Sequence, residues 1–142
     1  MSPPRRLAKL LTSVPVLVGL CTNSPLLAAD APFWPRFHGP KGDNISTDTG
    51  LLTEWPERGP RLLWTAHPLG KGYAGVTIAN GLIYTAGDIG DHNVITALDM
   101  NGQIQWQFNN GSSWTRGAQG TPTVDDNRLY HENAHEEVVC LD

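Results

Sequence analysis

Two stretches of this 142-residue chain resemble each other, and this internal repeat restricts the fold more than any other feature of the sequence. Residues 74–108 form one unit, and residues 120–142 form a shorter second unit that aligns when Tyr84 is placed over Tyr130. The alignment also matches residues 76–78 with 122–124, Asn80-Gly81 with Asp126-Asn127, and residues 97–99 with 140–142. A chain that repeats itself at roughly 45 residues builds its core by stacking similar units.

The first unit has the patterns of four β-strands. Residues 76–79 and 82–86 flank Asn80-Gly81, which is the strongest two-residue signal for a β-hairpin. Residues 94–98 are almost all apolar or β-branched, as expected of a strand that is covered on both faces. Residues 103–108 alternate strictly between polar and apolar, as expected of an outer strand with one buried face. We therefore predict a four-stranded antiparallel sheet in an all-β chain.

Four-stranded repeats of this length are typical of β-propeller blades. A further partial copy precedes the first unit, because the stretch around Trp64 resembles the stretch around Trp106. The predicted fold is an incomplete β-propeller of about one and a half blades. The predicted parts are an extended segment at residues 30–60, a closing outer strand at 61–66 within a partial propeller at 61–142, a first complete blade at 74–108 and a truncated second blade at 120–142.

The end of the first unit resembles the PQQ-like (pyrroloquinoline-quinone-type) β-propeller repeat family. The family's repeat ends in Ala-x-Asp…Gly-x-x-x-Trp, which is matched by Ala97, Asp99, Gly102 and Trp106. Two residues separate Asp99 from Gly102 here, where the quinoprotein docking motif has three. The start of residues 33–142, rich in Trp and Pro, is also similar to secreted members of the family. The resemblance implies structural roles for the repeat positions Trp64, Tyr84, Asp99, Gly102, Trp106, Tyr130 and Asp142.

The first 29 residues predict export. A basic start with Arg5, Arg6 and Lys9 precedes an apolar run at residues 10–20 and a small-residue exit at residues 27–29. This order is that of a cleaved secretory signal peptide, and the apolar run is too short for a membrane span. A twin-arginine signal and a lipid-modified Cys21 are the alternatives. We expect a protein of the periplasm or cell envelope, with no transmembrane segment in the mature chain.

The composition of the mature chain restricts its partners. After residue 29, seven basic residues face fourteen acidic ones. An acidic balance argues against binding to nucleic acid, which requires a basic face. Cys140 is the single Cys in this part, so it forms no internal disulfide, and we predict a small core residue on a buried strand.

Residues 131–135 read HENAH and match H-E-x-x-H, the zinc signature of metalloproteases. That chemistry needs His131 and His135 on one face of a helix. The repeat alignment instead predicts a β-hairpin with Asn133-Ala134 at its tip and the two His on opposite arms. We therefore predict that the match is spurious as a catalytic site, although two His across a hairpin can bind a metal without catalysis.

The corresponding tip of the first unit, residues 88–93, carries Asp88, Asp91 and His92. The spacing lacks the alternating oxygen ligands and the central Gly of a calcium loop. We expect this acidic group to be solvated surface.

Two Gly-rich segments lead into the predicted innermost strands, and in a propeller such connections line one mouth of the central channel. Residues 70–75 carry Lys71 and Tyr73, and residues 114–120 carry Arg116 and Gln119. Cationic side chains and exposed backbone N–H groups at this mouth suit an anionic or polar ligand. The alternative is that these Gly residues serve tight turns.

The function that we expect is an exported, non-catalytic binding or scaffold β-propeller, part of a longer protein because a propeller closes with about 4–8 blades. A protein, or a small polar or anionic ligand at the propeller mouth, is the expected partner. No catalytic, cofactor-binding or metal-binding residue is assigned. The resemblance implies an alternative, the N-terminal piece of a quinoprotein dehydrogenase that oxidises alcohols or sugars with PQQ and calcium. Adjacent Cys, calcium-binding carboxylates and a catalytic Asp would distinguish that enzyme.

Overall fold

The computed structural model describes residues 31–142, which form an all-β structure of two antiparallel sheets. The signal peptide predicted at residues 1–29 lies outside the described residues. The strands are β1 (Thr77–Ala79), β2 (Leu82–Ile89), β3 (His92–Asp99), β4 (Ile104–Ser112), β5 (Thr123–Asp125), β6 (Arg128–Glu132) and β7 (Val138–Leu141). The first sheet has the order β1-β2-β3-β4, and the second has the order β5-β6-β7.

The described residues contain no helix, which confirms the predicted all-β class. Accordingly, residues 31–142 include no apolar helix of the length that would cross a membrane.

The strand registers of the two sheets follow the sequence repeat. Tyr84 pairs with Thr77 on one side and Ala97 on the other. Tyr130 pairs in the same way with Thr123 and Cys140. Because each pair of aligned residues has equivalent neighbours, the two sheets are copies of one unit, and the second contains three of its four strands.

The predicted polar tip of the first unit is shorter than expected. Strands β2 and β3 continue until Ile89 pairs with His92, so only Gly90 and Asp91 form the turn. Gly90 has a positive φ of 59°, which glycine adopts without steric cost. The long hairpin carries polar side chains to the end of the first sheet.

Residues 61–66 do not form the predicted closing strand. The Trp64 side chain instead packs on Gly102, and its indole Nε1 donates to the Met100 carbonyl at 3.1 Å. An added Cβ at Gly102 would overlap this indole, and the φ of Gly102 is 79°, so only glycine fits. The segment covers the first sheet without joining its backbone ladder.

The hydrophobic core lies on both faces of the first sheet. One face packs on the second sheet through Ala79, Tyr84, Ile95 and Ala97, which contact Val124 and Leu129. The opposite face carries Ile83 and Leu98, which pack with Ala66 and Leu69. Residues 31–142 cover the second sheet on one face only.

The prediction of a buried Cys140 is therefore wrong. Cys140 lies on the uncovered face of β7 and is exposed to solvent. Val139 and Leu141, which point to the other face, pack against the core.

The two sheets are also joined by polar contacts. The Thr77 hydroxyl donates to the carbonyl of Pro122, and Asn80 Nδ2 donates to the carbonyl of Asp126 at 2.9 Å. The N-terminal segment also bonds to the first strand of each sheet, β1 and β5. Trp34 exchanges two backbone hydrogen bonds with Ile78 of β1, and the carbonyl of Pro35 accepts one from Val124 of β5.

Candidate functional site

The candidate site is a surface that we call the rim, formed by residues 70–75 and 114–120. The structure brings these two segments side by side, with Gly72 in a parallel bridge to Ala118. The Tyr73 N–H donates to the Ala118 carbonyl at 2.7 Å, and the Ala118 N–H donates to the Lys71 carbonyl at 3.1 Å. The rim is thus one hydrogen-bonded unit.

Glycine permits this close approach. A Cβ at Gly72 would lie 2.5 Å from the Ala118 carbonyl oxygen, and one at Gly117 would lie 2.7 Å from that of Lys71. The φ of Gly117 is also 90°, a conformation that other residues rarely adopt. Gly117 closes a tight turn through its N–H bond to the Trp114 carbonyl, in agreement with the alternative interpretation, whereas Gly72 permits close packing.

The expectation that the rim offers free backbone N–H groups is wrong for much of its length. The N–H groups of Lys71, Tyr73, Gly117 and Ala118 all donate to carbonyls within the protein. A ligand at the rim would therefore be recognised mainly by side chains.

Two cationic side chains lie on the rim. Lys71 Nζ donates to the carbonyl of Thr115 at 2.8 Å and remains exposed. The Arg116 guanidinium carbon lies 5.7 Å from the ring centroid of Trp114, within the range of a cation–π contact. Both contacts leave donors of these two groups available to a ligand, because an ammonium has three N–H donors and a guanidinium five.

The other two candidate residues are exposed. The Tyr73 side chain is 79% accessible to solvent, although its backbone is held by Ala118. Gln119 also lies at the surface. The rim therefore combines two cations, an exposed aromatic ring and an amide.

Asp88 anchors the rim to the first sheet and is not the solvated residue that we expected. Its carboxylate accepts from Asn93 Nδ2 and from the Trp114 N–H, both at 2.9 Å, and it is buried. The backbone of Asp88 also exchanges two hydrogen bonds with Lys71. Asp91 and His92 are exposed, as expected.

The HENAH residues lie on a strand and a turn. His131 belongs to β6 and pairs with Val139, while His135 lies in the turn before β7 and not on the returning arm. His135 Nε2 hydrogen-bonds to the Ser113 carbonyl, so the two imidazoles have separate partners. Residues 31–142 hold no group of three or more His, Cys, Asp and Glu that is placed to bind a metal.

A buried polar cluster near the rim was not found from the sequence. Asn110, His131 and Asn133 are almost fully buried between β4 and β6. His131 Nδ1 lies 2.8 Å from Asn110 Nδ2, and its Nε2 lies 3.1 Å from the Gly120 carbonyl oxygen. The cluster joins residues 21 positions apart, and a hairpin pattern does not reveal which side chain faces the neighbouring sheet.

The repeat positions differ in their surroundings. The Asp99 carboxylate accepts from the N–H groups of Asn101 and Gln103 and so holds the turn before β4. The Trp106 ring lies 6.0 Å from that of Tyr84, between the two sheets. Asp142 is exposed, 3.7 Å from Arg128.

Comparisons with protein-family models, with curated proteins and with solved structures found no match to this chain.

Proposed function

We propose that the two sheets are consecutive blades of a PQQ-like β-propeller, and that the protein is an exported, non-catalytic binding or scaffold module of the cell envelope. One observation carries the proposal. The second sheet stacks on the Tyr84 face of the first, and it presents the corresponding Tyr130 face outward. Units that stack head to tail in this way form a heterologous series, which closes into a ring when the rotation allows it.

The proposed propeller is part of a longer protein. Tyr130, Val138 and Cys140 form an exposed apolar strip at the positions that the first sheet uses for stacking. A further sheet on this strip would continue the series. A crystal structure of the full-length gene product tests this proposal. We expect a further repeat to pack on the Tyr130 face, with all repeats arranged about a common axis. Tyr130 facing bulk solvent in every molecule of the full-length gene product would contradict it.

The proposed binding surface is the rim. Lys71 and Arg116 place two positive charges near an exposed Tyr73 in a chain with an acidic balance. Such a surface suits a small polar or anionic ligand, or an acidic segment of a protein partner. The aromatic ring adds area that binds the planar or apolar part of a ligand.

Inorganic phosphate is a simple probe of this surface. In NMR titrations of the protein, we expect phosphate to shift the amide signals of residues 70–75 and 114–120. The double variant K71A/R116A should lower the affinity for phosphate by at least about tenfold, which is equivalent to about 1.4 kcal/mol. The matched control K41A/R58A removes two exposed cations outside the rim and should bind as the wild type does. An equal loss in both variants, or no response in the wild type, would contradict the proposed site.

The second candidate is the N-terminal part of a quinoprotein dehydrogenase, which rests on the family resemblance alone. The described residues fit its cofactors poorly. The Trp114 ring at the rim already has Arg116 against it, and no group of three carboxylate, His or Cys ligands occurs within residues 31–142. Turnover of an alcohol in a dye-linked assay with added PQQ and calcium would favour the enzyme over the binding module.

A further inference from the structure

His131 is the most deeply buried titratable side chain near the rim, and it connects three parts of the fold. It lies on β6 with only 2% of its surface exposed. Its ring contacts Asn110 of β4 through Nδ1 and Gly120 of the connection between the sheets through Nε2. Both ring nitrogens are thus used inside the protein.

With Asn110 Nδ2 directed at the ring, the two partners indicate which ring nitrogen carries the proton. A carbonyl oxygen only accepts, so Nε2 donates its proton to Gly120. An amide NH₂ only donates, so Nδ1 accepts from Asn110 Nδ2. The arrangement therefore fits a neutral imidazole with the proton on Nε2. A proton added to Nδ1 would face the Asn110 donor and place a charge in a buried site.

The backbone around the ring is held in place from several sides. Asn133 Nδ2 donates both to the Asn110 carbonyl and to the Glu137 carboxylate, which holds the Asn110 backbone in place. At Gly120, an added Cβ would collide with the carbonyl of Glu132. The cluster is closed on the sides of β4, the connection and the hairpin turn.

Burial and the groups around His131 shift its pKa in opposite directions. Burial lowers the pKa of His131, while the hydrogen bond to Gly120 and the nearby Glu132 raise it less. On the hairpin turn, Glu137 faces the ring only through Asn133, and His135 is directed to Ser113. Neither β4 nor the connection contributes an ionisable partner, since Asn110 and Gly120 are the groups that touch the ring.

We propose that His131 is a pH-sensitive clasp, which holds the second sheet and the end of the rim against β4 when neutral and releases them when protonated. Because its pKa is lowered in the folded state, the contribution of the clasp to stability is complete above the ordinary imidazole value of about 6.5. It is lost as the pH falls from that value to the lowered pKa. Over this window, each pH unit shifts the closed-to-open ratio by up to about tenfold.

The clasp has a consequence for the rim that rests on the proposed function. Gly120 ends the segment that carries Arg116 and Gln119, so release of His131 loosens one side of the binding surface. Low pH should therefore weaken the binding of a ligand at the rim. The clasp itself is measured without any ligand, so its failure and the failure of the proposed function are distinguishable.

The test uses the whole protein with histidine side chains followed by NMR between about pH 8 and pH 4.5. We expect His131 to show the Nε2–H tautomer at high pH and a titration midpoint below about 6.5. Hydrogen exchange, corrected for the intrinsic pH effect, should show lower protection of β6, β7 and residues 118–121 at low pH. A midpoint at or above the ordinary value, or unchanged protection across the titration, would overturn the proposal.

Two matched variants separate the clasp from general acid sensitivity. In H131Q, the amide oxygen can accept from Asn110 and the amide nitrogen can donate to Gly120, so the contact is kept without a titrating group. We expect the pH dependence of exchange to disappear in H131Q and to persist in H135Q, which alters the exposed His of the same hairpin. Persistence of the pH dependence in H131Q would also overturn the proposal. If H131Q does not fold, the wild-type titration decides.

Discussion

Tyr84 and Tyr130 occupy the same position in two copies of one unit, and their different burial is instructive. Each pairs with a Thr on one side and a small residue on the other. Yet Tyr84 is 7% exposed and Tyr130 is 37% exposed. Their local sequence and strand register are equivalent, so the difference comes from what lies above each ring.

The neighbours above the two rings account for this difference. The second sheet and Trp106 cover Tyr84, whereas nothing among the described residues covers the face that carries Tyr130. Ala97 and Cys140 differ in the same way, as one is fully buried and the other exposed. The repeat therefore determines strand order and register, and stacking determines burial.

The largest expected effect on stability comes from the removal of each tyrosine ring. Y84A should lower the free energy of unfolding by about 3–5 kcal/mol, because it leaves a cavity in the core between the sheets. Y130A should cost about 1 kcal/mol or less, since its ring is partly solvated. Urea unfolding followed by circular dichroism measures both. Equal losses would show that the faces are equally covered in solution.

A second pair of equivalent residues tests the polar contact between the sheets. The Thr77 hydroxyl is buried and donates to the Pro122 carbonyl, whereas Thr123 lies at the edge of the uncovered face. T77V keeps the shape but leaves that carbonyl without this donor, so we expect a loss of about 1–2 kcal/mol. T123V should change stability by less than about 0.5 kcal/mol. The same urea titrations give the values, and a larger effect at Thr123 would refute the assignment of the inter-sheet contact.

Sequence patterns were sufficient to predict the strands because their signals are local. Asn80 and Gly81 adopt positive φ values of 53° and 76°, as the hairpin signal requires. The alternation at residues 103–108 predicted a strand, and β4 begins at Ile104, but the predicted buried face is wrong because Ile104 and Phe108 are exposed and Trp106 is half-buried. The alignment of Tyr84 with Tyr130 then gave the register of the second sheet. The first inferences depend on neighbouring residues alone, and the last depends on the comparison of two such local patterns.

Features that depend on contacts between units were predicted incorrectly or not at all. Cys140 has the sequence pattern of a core residue but lies on a face that neither of the two described sheets covers. Trp64 lies in a strand-like stretch, but the space above Gly102 holds its ring without a ladder of backbone hydrogen bonds. Asp88 became an anchor because the Trp114 N–H, 26 residues away, reaches its carboxylate. A single sequence does not encode such distances as a local pattern.

A smaller effect is expected at the solvent-exposed end of the same interface. Asn80 Nδ2 donates to the Asp126 carbonyl, and both residues lie at the surface. N80G keeps the positive φ of the turn and removes the donor, so we expect a loss of about 0.5–1 kcal/mol. D126G is the matched control, because it alters the equivalent turn but retains the carbonyl that accepts. Thermal unfolding measures both, and equal losses would indicate that the turns alone account for the effect.

The smallest effect on stability, and the most direct measure of the uncovered face, comes from thiol labelling. Cys140 is exposed on β7, so a thiol reagent should modify it completely in the folded protein, with little change in the melting temperature. Ala97 is the equivalent residue of the first sheet and is fully buried. In the double variant A97C/C140S, the thiol should therefore react only as fast as the protein opens, because a reagent must reach it between the sheets. The two rates thus compare equivalent positions with one chemistry. Slow labelling of Cys140 would show that its face is covered in solution. The burial of the two sheets would then differ less than the structure indicates.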